Sequence, residues 1–230
     1  MQRLAGGVEH LDRPVPRADR DASLADIDRL NAWFGGYALT FRAVDELLED
    51  SPGGRGRPGI GEAVPLVLDV GGGRGDLARR LVRRAGRRGR RLRVLVVDRA
   101  PADSAPGVLR VCADATALPI RPGAADVVVS SLMLHHLEPA DAVRALAEMR
   151  TAARRGVVVN DLLRNPLTLG LVWLATRLVC RHPFTRRDGP LSVRRAYSPS
   201  ELVGLARRAG LADLRVRRYP LLGRLVAVAA

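Results

Sequence analysis

From Pro65 onward the chain alternates between two hydrophobic patterns. Short runs dense in valine and leucine, at 65–70, 92–98, 108–112, 125–130 and 156–160, predict strands buried on both faces. Between them, segments at about 75–88 and 139–154 repeat their apolar residues every three or four positions and predict helices. A further apolar helix is expected at about 166–180, "PLTLGLVWLATRLVC". Leu167, Leu171, Leu174 and Leu178 form its first stripe, while Val172, Trp173 and Val179 make a second side apolar, and one face is expected to pack on the sheet. The next helix starts with Ser198 as N-cap, Pro199 at its first position and Glu201 completing a capping box. Two final strands, about 212–219 and 224–230, lie too close together for a helical crossover and must pair as an antiparallel hairpin.

The first 62 residues follow a different pattern. Residues 1–21 read as a loose arm. Ser23 followed by Asp26 resembles a helix start, and Leu24, Ile27, Leu30 and Phe34 recur at helical spacing. Gly35-Gly36 breaks that helix, and a second runs through Phe41, Val44 and Leu48. "SPGGRGRPGIG" reads as a linker. The expected organisation is an arm and helical segment over 1–50, a linker over 51–62 and a main domain over 63–230. Alternating strands and helices place that domain in the α/β class, with a parallel sheet covered on both faces and a ligand crevice at the carboxyl ends of its strands.

Composition narrows the partners. The net charge of +14 suggests nucleic acid, but all 38 basic residues are arginine and no lysine is present. Alanine, glycine and proline are also abundant, so the charge reads as a compositional skew rather than a surface built for polyanions. Aromatic residues make up 3% of the chain, too few for base-stacking platforms. Nucleic acid is therefore an unlikely substrate. Cys112 and Cys180 belong to no metal or redox spacing and read as buried free thiols of a reducing compartment. Met1–Arg20 is polar, unlike a secretion signal, and 166–180 is too short to span a bilayer and carries Arg177, so a cytoplasmic location is expected.

The chemistry-bearing stretch is "LDVGGGRGDLARR", Leu68–Arg80, where a strand meets four glycines within five residues and then a helix. No lysine follows the glycines, which excludes a triphosphate-binding loop. Counted from Gly71, the sixth position is Asp76, where a dinucleotide fingerprint needs Gly or Ala. Asp69 before Gly71, Gly73 and Gly75 instead resembles the first motif of the class I S-adenosylmethionine (SAM)-dependent methyltransferases. Later strand ends extend the resemblance. "VLVVDRA" puts Asp98 and Arg99 after the second strand, "CADATALP" puts Asp114 and Ala115 after the third, and "ADVVVSSLMLHHLE" puts Ser130 and Ser131 at the end of the fourth.

The resemblance implies a Rossmann-like class I methyltransferase fold, with a mostly parallel seven-stranded sheet ending in an antiparallel hairpin and an N-terminal helical lid. It implies SAM as cofactor and S-adenosylhomocysteine as product. Asp69, Gly71, Gly73 and Gly75 would cradle the cofactor, Asp98 with Arg99 would meet the ribose, Asp114 with Ala115 the adenine, and Ser130 with Ser131 would border the methionine moiety. The segment around 166–180 is similar to bacterial methyltransferases that tailor quinones and polyketides. A small, largely apolar acceptor is therefore expected, methylated on a phenolic or enolic oxygen or on a ring carbon. N-methylation, nucleic-acid methylation, and a SAM-binding subunit without turnover remain the alternatives.

A phenol, with pKa near 10, needs a base. His135 or His136, just past the fourth strand, is the candidate, with His135 favoured. Asn160 and Asp161 close the fifth strand and are expected to orient the acceptor, which Phe34, Tyr37 and Trp173 would enclose. Serines at 130 and 131 stand where a hard cation would want carboxylates, so no metal is expected. The apolar 166–180 helix, flanked by Arg164, Arg181, Arg186 and Arg187, also suits a partner subunit in a homodimer or weak contact with a membrane surface, and a monomer or homodimer is expected.

Overall fold

The computed structural model describes residues 1–49, 63–100 and 108–230; the expected linker over 51–62 lies outside them. In chain order the elements are α1 (Arg17–Trp33), α2 (Gly36–Glu49), β1 (Leu66–Val70), α3 (Asp76–Arg87), β2 (Arg93–Asp98), β3 (Val108–Cys112), β4 (Ala125–Ser131), α4 (Pro139–Ala152), β5 (Ala153–Leu162), α5 (Pro166–Val179), α6 (Pro183–Arg195), α7 (Pro199–Arg208), β6 (Arg215–Tyr219) and β7 (Arg224–Ala229). Short 3-10 turns lie at His10–Asp12, Leu134–His136 and Pro220–Leu222.

Seven strands form one sheet in the order β3-β2-β1-β4-β5-β7-β6, and β7 alone runs against the others. The order reverses between β1 and β4, which opens a crevice at their carboxyl ends. Because successive strand residues face opposite sides, the valine-rich strands fill two cores at once. Leu68, Val70 and Val128 pack with Leu146 and Met149 of α4 and Leu202 of α7. Val67, Val94, Val127 and Val158 pack on the opposite face with Val44 of α2 and Leu77 and Leu81 of α3.

Four expectations need correction. α1 begins at Arg17, so Ser23 and Asp26 lie inside it. Both are buried and satisfied tertiarily: Ser23 Oγ is 2.8 Å from Thr185 Oγ1, and Asp26 Oδ2 accepts the His182 N–H at 2.7 Å. The arm is docked rather than loose, since Leu4 N–H donates to Arg194 O at 2.9 Å and Arg3 donates to Arg195 O at 2.8 Å and Leu137 O at 3.0 Å. α5 packs chiefly on α6, α1 and the Pro220–Leu222 turn instead of the sheet. Cys112 is exposed because β3 is an edge strand, whereas Cys180 is buried.

α6 is a helix that the sequence pattern does not reveal. Gly189 and Pro190 lie within it, and its packing against α5 overrides their poor helix propensity. The arginine-rich α3 ties the N-terminal helices down. Arg80 pairs with Asp28 of α1 at 3.0 Å, and Arg84 pairs with Asp45 of α2 at 2.7 Å, fastening both N-terminal helices to the sheet layer.

Candidate active site

The crevice is a cavity of about 510 Å³ bordered by the β1 glycine turn, the loops after β2, β3 and β4, and the inner sides of α1 and α5. Its floor is set by the glycines. Gly71, Gly73 and Gly75 hold φ of +74°, +53° and +76°, a left-handed backbone that side chains strain. A Cβ at Gly71 would also come within 2.3 Å of Met133 Cγ, so the turn stays bare and α3 starts directly beneath the cavity. Arg74 lines the cavity beside the turn. It pairs with Asp76 at 3.2 Å and donates to Asp21 O of α1 at 3.3 Å, joining the turn to α1.

Three carboxylates stand in sequence along the strand ends. Asp69 is buried, its Oδ2 has no hydrogen-bond partner, and burial with the neighbouring Asp98 charge pushes its pKa up to about 7. Asp98 Oδ2 accepts the Gly73 N–H at 2.8 Å and Oδ1 accepts the Ala100 N–H at 2.9 Å, so it braces the turn with lone pairs to spare. Asp114 Oδ1 accepts from Thr116 N–H at 2.8 Å and Oγ1 at 2.7 Å, leaving Oδ2 near Arg99 at 3.9 Å. The Thr116 hydrogen bonds hold its pKa below the usual value.

On the β4 side, the Leu134–His136 turn delivers two imidazoles to the cavity wall with ring centroids 4.3 Å apart. His135 is buried, and its Nδ1 lies 2.6 Å from Asp161 Oδ1, whose other oxygen accepts the His135 N–H at 3.2 Å. Burial would raise Asp161, but the His135 charge and hydrogen bond hold it below the usual carboxylate range. His136 Nδ1 lies 2.6 Å from Asp12 Oδ1. Burial would lower His136, yet the Asp12 hydrogen bond and the Glu9 and Asp12 charges raise it. Both Nε2 atoms face Glu9 at 3.9 Å.

Glu9, Asp12 and Arg195 belong to this site and were not foreseen. Arg195 Nη1 is 3.3 Å from Glu9 and 2.5 Å from Asp12, and Ser192 Oγ donates to Glu9 at 2.8 Å. No periodicity marks Glu9 or Asp12, because the arm is held by polar bonds. Among the described residues, Glu9, His135 and His136 are the group whose ligating atoms lie within 4.8 Å of one another. Such a donor set suits zinc, although Arg195 and Ser192 already engage the Glu9 carboxylate.

Of the expected site residues, Asp69, Gly71, Gly73, Asp98, Arg99, Asp114, Ala115, Ser131, His135, His136, Phe34 and Tyr37 line the one cavity. Tyr37 donates its hydroxyl to Asp28 at 2.7 Å, and burial raises its pKa strongly. Five others do not line it. Gly75 lies below the turn, and Ser130 is buried in β4. Asn160 donates to Gly36 O at 2.8 Å and Thr40 Oγ1 at 2.7 Å, tying β5 to α2, while Asp161 sits behind His135. Trp173 is 49% exposed on the outer side of α5 with Arg177 stacked 4.0 Å from its ring, because Thr168, Val172 and Thr176 take the inward positions of that helix.

Residues 67–156, covering β1 to β5, match the family model described as a methyltransferase domain. The structure as a whole has the class I methyltransferase fold. It is similar to human N-acetylserotonin methyltransferase solved with SAM (TM-score 0.56, 16% identity, 95% of this chain and 60% of that one). It is also similar to the pyocyanin biosynthetic protein PhzM (0.53, 21%, 82% and 54%). A chain from the Haloferax volcanii complex of the Trm112 methyltransferase activator with a methyltransferase matches over 94% of this chain and 99% of its own (0.56, 16%). The first two proteins are longer, and this chain spans three-fifths of the human one or less of PhzM. No curated protein sequence matches the chain. No described helix is long and apolar enough to cross a membrane.

Proposed function

We propose that the chain is a SAM-dependent methyltransferase that methylates an oxygen, phenolic or enolic, on a small and largely apolar acceptor, releasing S-adenosylhomocysteine. The observation that carries this reading is the His135–Asp161 dyad standing in the wall of the cavity that the glycine turn floors. The cofactor suits the residues present. The bare turn admits a close approach, Asp98 has lone pairs for ribose hydroxyls, Asp114 Oδ2 for the adenine amino group, and buried Asp69 has an unpaired oxygen. When bound, the sulfonium supplies an electrophilic methyl group for in-line displacement.

The chain's own residues supply the rest. Asp161 fixes His135 with its proton on Nδ1, which leaves the Nε2 lone pair, on the side where Glu9 stands 3.9 Å away, to accept the acceptor hydroxyl proton. His136, drawn toward its charged form by Asp12 and Glu9, holds the wall together instead of taking that proton. Phe34, Leu171 and Leu174 give the cavity an apolar rim that suits an apolar acceptor, although each is itself exposed. A cytoplasmic setting accords with the exposed free thiol of Cys112. The test is release of S-adenosylhomocysteine by purified protein against a panel of phenols, quinols and polyketides, with His135→Gln alongside. Turnover of at least one oxygen acceptor, lost in His135→Gln, is expected. Turnover only of amines or nucleic acid overturns the oxygen assignment.

A further inference from the structure

Arg224 plays no part in that mechanism, yet its setting is chemically unusual. It opens β7, in register with Leu162 at the end of β5, and it lines the cavity. The residue is 5% exposed. Nη2 donates to Asn31 Oδ1 of α1 at 2.7 Å, whereas Nη1 is buried without any hydrogen-bond partner. Among the described residues, no carboxylate lies within 4.0 Å of its guanidinium. The other buried arginine among the described residues, Arg195, is held by Glu9 and Asp12.

Removing a charge from water without a counter-ion is costly, so buried charges are normally paired. Burial lowers Arg224 to about 10, which still leaves it a cation at neutral pH. Asp161 reaches it only through space and is already committed to His135. The neighbouring backbone is kept bare for it: a Cβ at Gly36 would come 2.4 Å from Asn31 Oδ1 and 3.2 Å from Arg224 Nη2. A cation with open donors, held at a cavity wall and lacking a protein anion, is a seat for an anion that arrives with a ligand.

We propose that Arg224 binds a carboxylate on the acceptor, so that the substrates are small hydroxylated aromatic or polyketide acids. This rests on the methyltransferase reading and adds the substrate class. The alternative source of a carboxylate is the methionine moiety of the cofactor. Position argues against it, because β7 is three strand steps from β1 in the sheet, about 14 Å at the usual inter-strand spacing. Arg224 instead stands beyond the histidine wall, two strands past β4.

Calorimetry with wild type, Arg224→Met and Arg224→Lys tests this in two arms. In the first, S-adenosylhomocysteine is titrated into each protein, and affinities within about twofold of one another are expected. A loss of about tenfold or more in Arg224→Met, partly restored in Arg224→Lys, would assign the anion to the cofactor and overturn the proposal. No binding to wild type would sink the methyltransferase reading itself, a different failure. In the second arm, proteins loaded with S-adenosylhomocysteine are titrated with hydroxybenzoic and hydroxynaphthoic acids and with their primary amides. Wild type should bind at least one acid about tenfold or more tightly than its amide. Arg224→Lys should keep part of that preference, and Arg224→Met, checked as folded by thermal melting, should lose it. No acid preference anywhere in the panel, or one that survives in Arg224→Met, overturns the proposal.

Discussion

Substitution of Asp69 by asparagine should stabilise the cofactor-free protein, and by an amount that depends on pH. The side chain is 1% exposed, Oδ2 makes no hydrogen bond, and the Asp98 carboxylate is close enough to repel its charge. Together these raise its pKa from 3.8 to about 7. A carboxyl raised in the fold binds a proton that the unfolded chain has already released, so stability falls as pH rises from the unfolded pKa to the folded one. Below about pH 4 both states are protonated and the cost is absent. Between about pH 4 and 7 it grows by about 1.4 kcal/mol per pH unit, reaching roughly 4 kcal/mol at most and then levelling off. Asparagine has nearly the same shape and no charge, so it escapes this cost. Urea denaturation of both proteins without cofactor, at intervals from pH 4 to 8.5, measures it. Near-equal stability at pH 4 and a growing advantage for Asp69→Asn up to pH 7 are expected, together with weaker SAM binding. Wild type more stable than the variant at pH 8, or a difference that ignores pH, would refute the reasoning.

Three further outcomes follow from the same contacts. Asp161→Asn removes the carboxylate that fixes the His135 tautomer, and should lower kcat by about 100-fold or more with SAM affinity unchanged; kinetics with unchanged kcat would remove the dyad from the chemistry. Trp173→Ala touches an outward, half-exposed ring, so melting should shift by the equivalent of less than about 1 kcal/mol and acceptor KM should hold. Arg74→Ala cuts the tie between glycine turn and α1, and hydrogen exchange should show faster opening of α1, whereas unchanged protection would mean the tie is idle.

Much of the sheet was legible because its strands are continuous apolar runs and its turns carry glycine. Asp98, Asp114 and His135 are legible because each sits at a strand end or in the turn that follows it, where the fold places residues beside the crevice. The unread half of the site has a common physical cause. Glu9 and Asp12 come from an arm without apolar periodicity, and they are fixed by Arg195 of a helix that Gly189 and Pro190 disguise. Trp173 was misplaced because α5 is apolar on two sides, and sequence does not say which side faces inward. In the sequence Arg224 is one arginine among 38; what sets it apart is that no carboxylate of the described residues lies within 4.0 Å of its buried head group.

The measurement that bears most directly on the whole account is calorimetric titration of the purified chain with SAM, S-adenosylhomocysteine and NAD, in wild type and Asp98→Ala. One site that takes SAM and S-adenosylhomocysteine and no NAD is expected. In Asp98→Ala, the brace on Gly73 and the acceptor for the ribose hydroxyls are both removed, and binding should weaken by about 1–3 kcal/mol. Binding of NAD with no binding of SAM would contradict it.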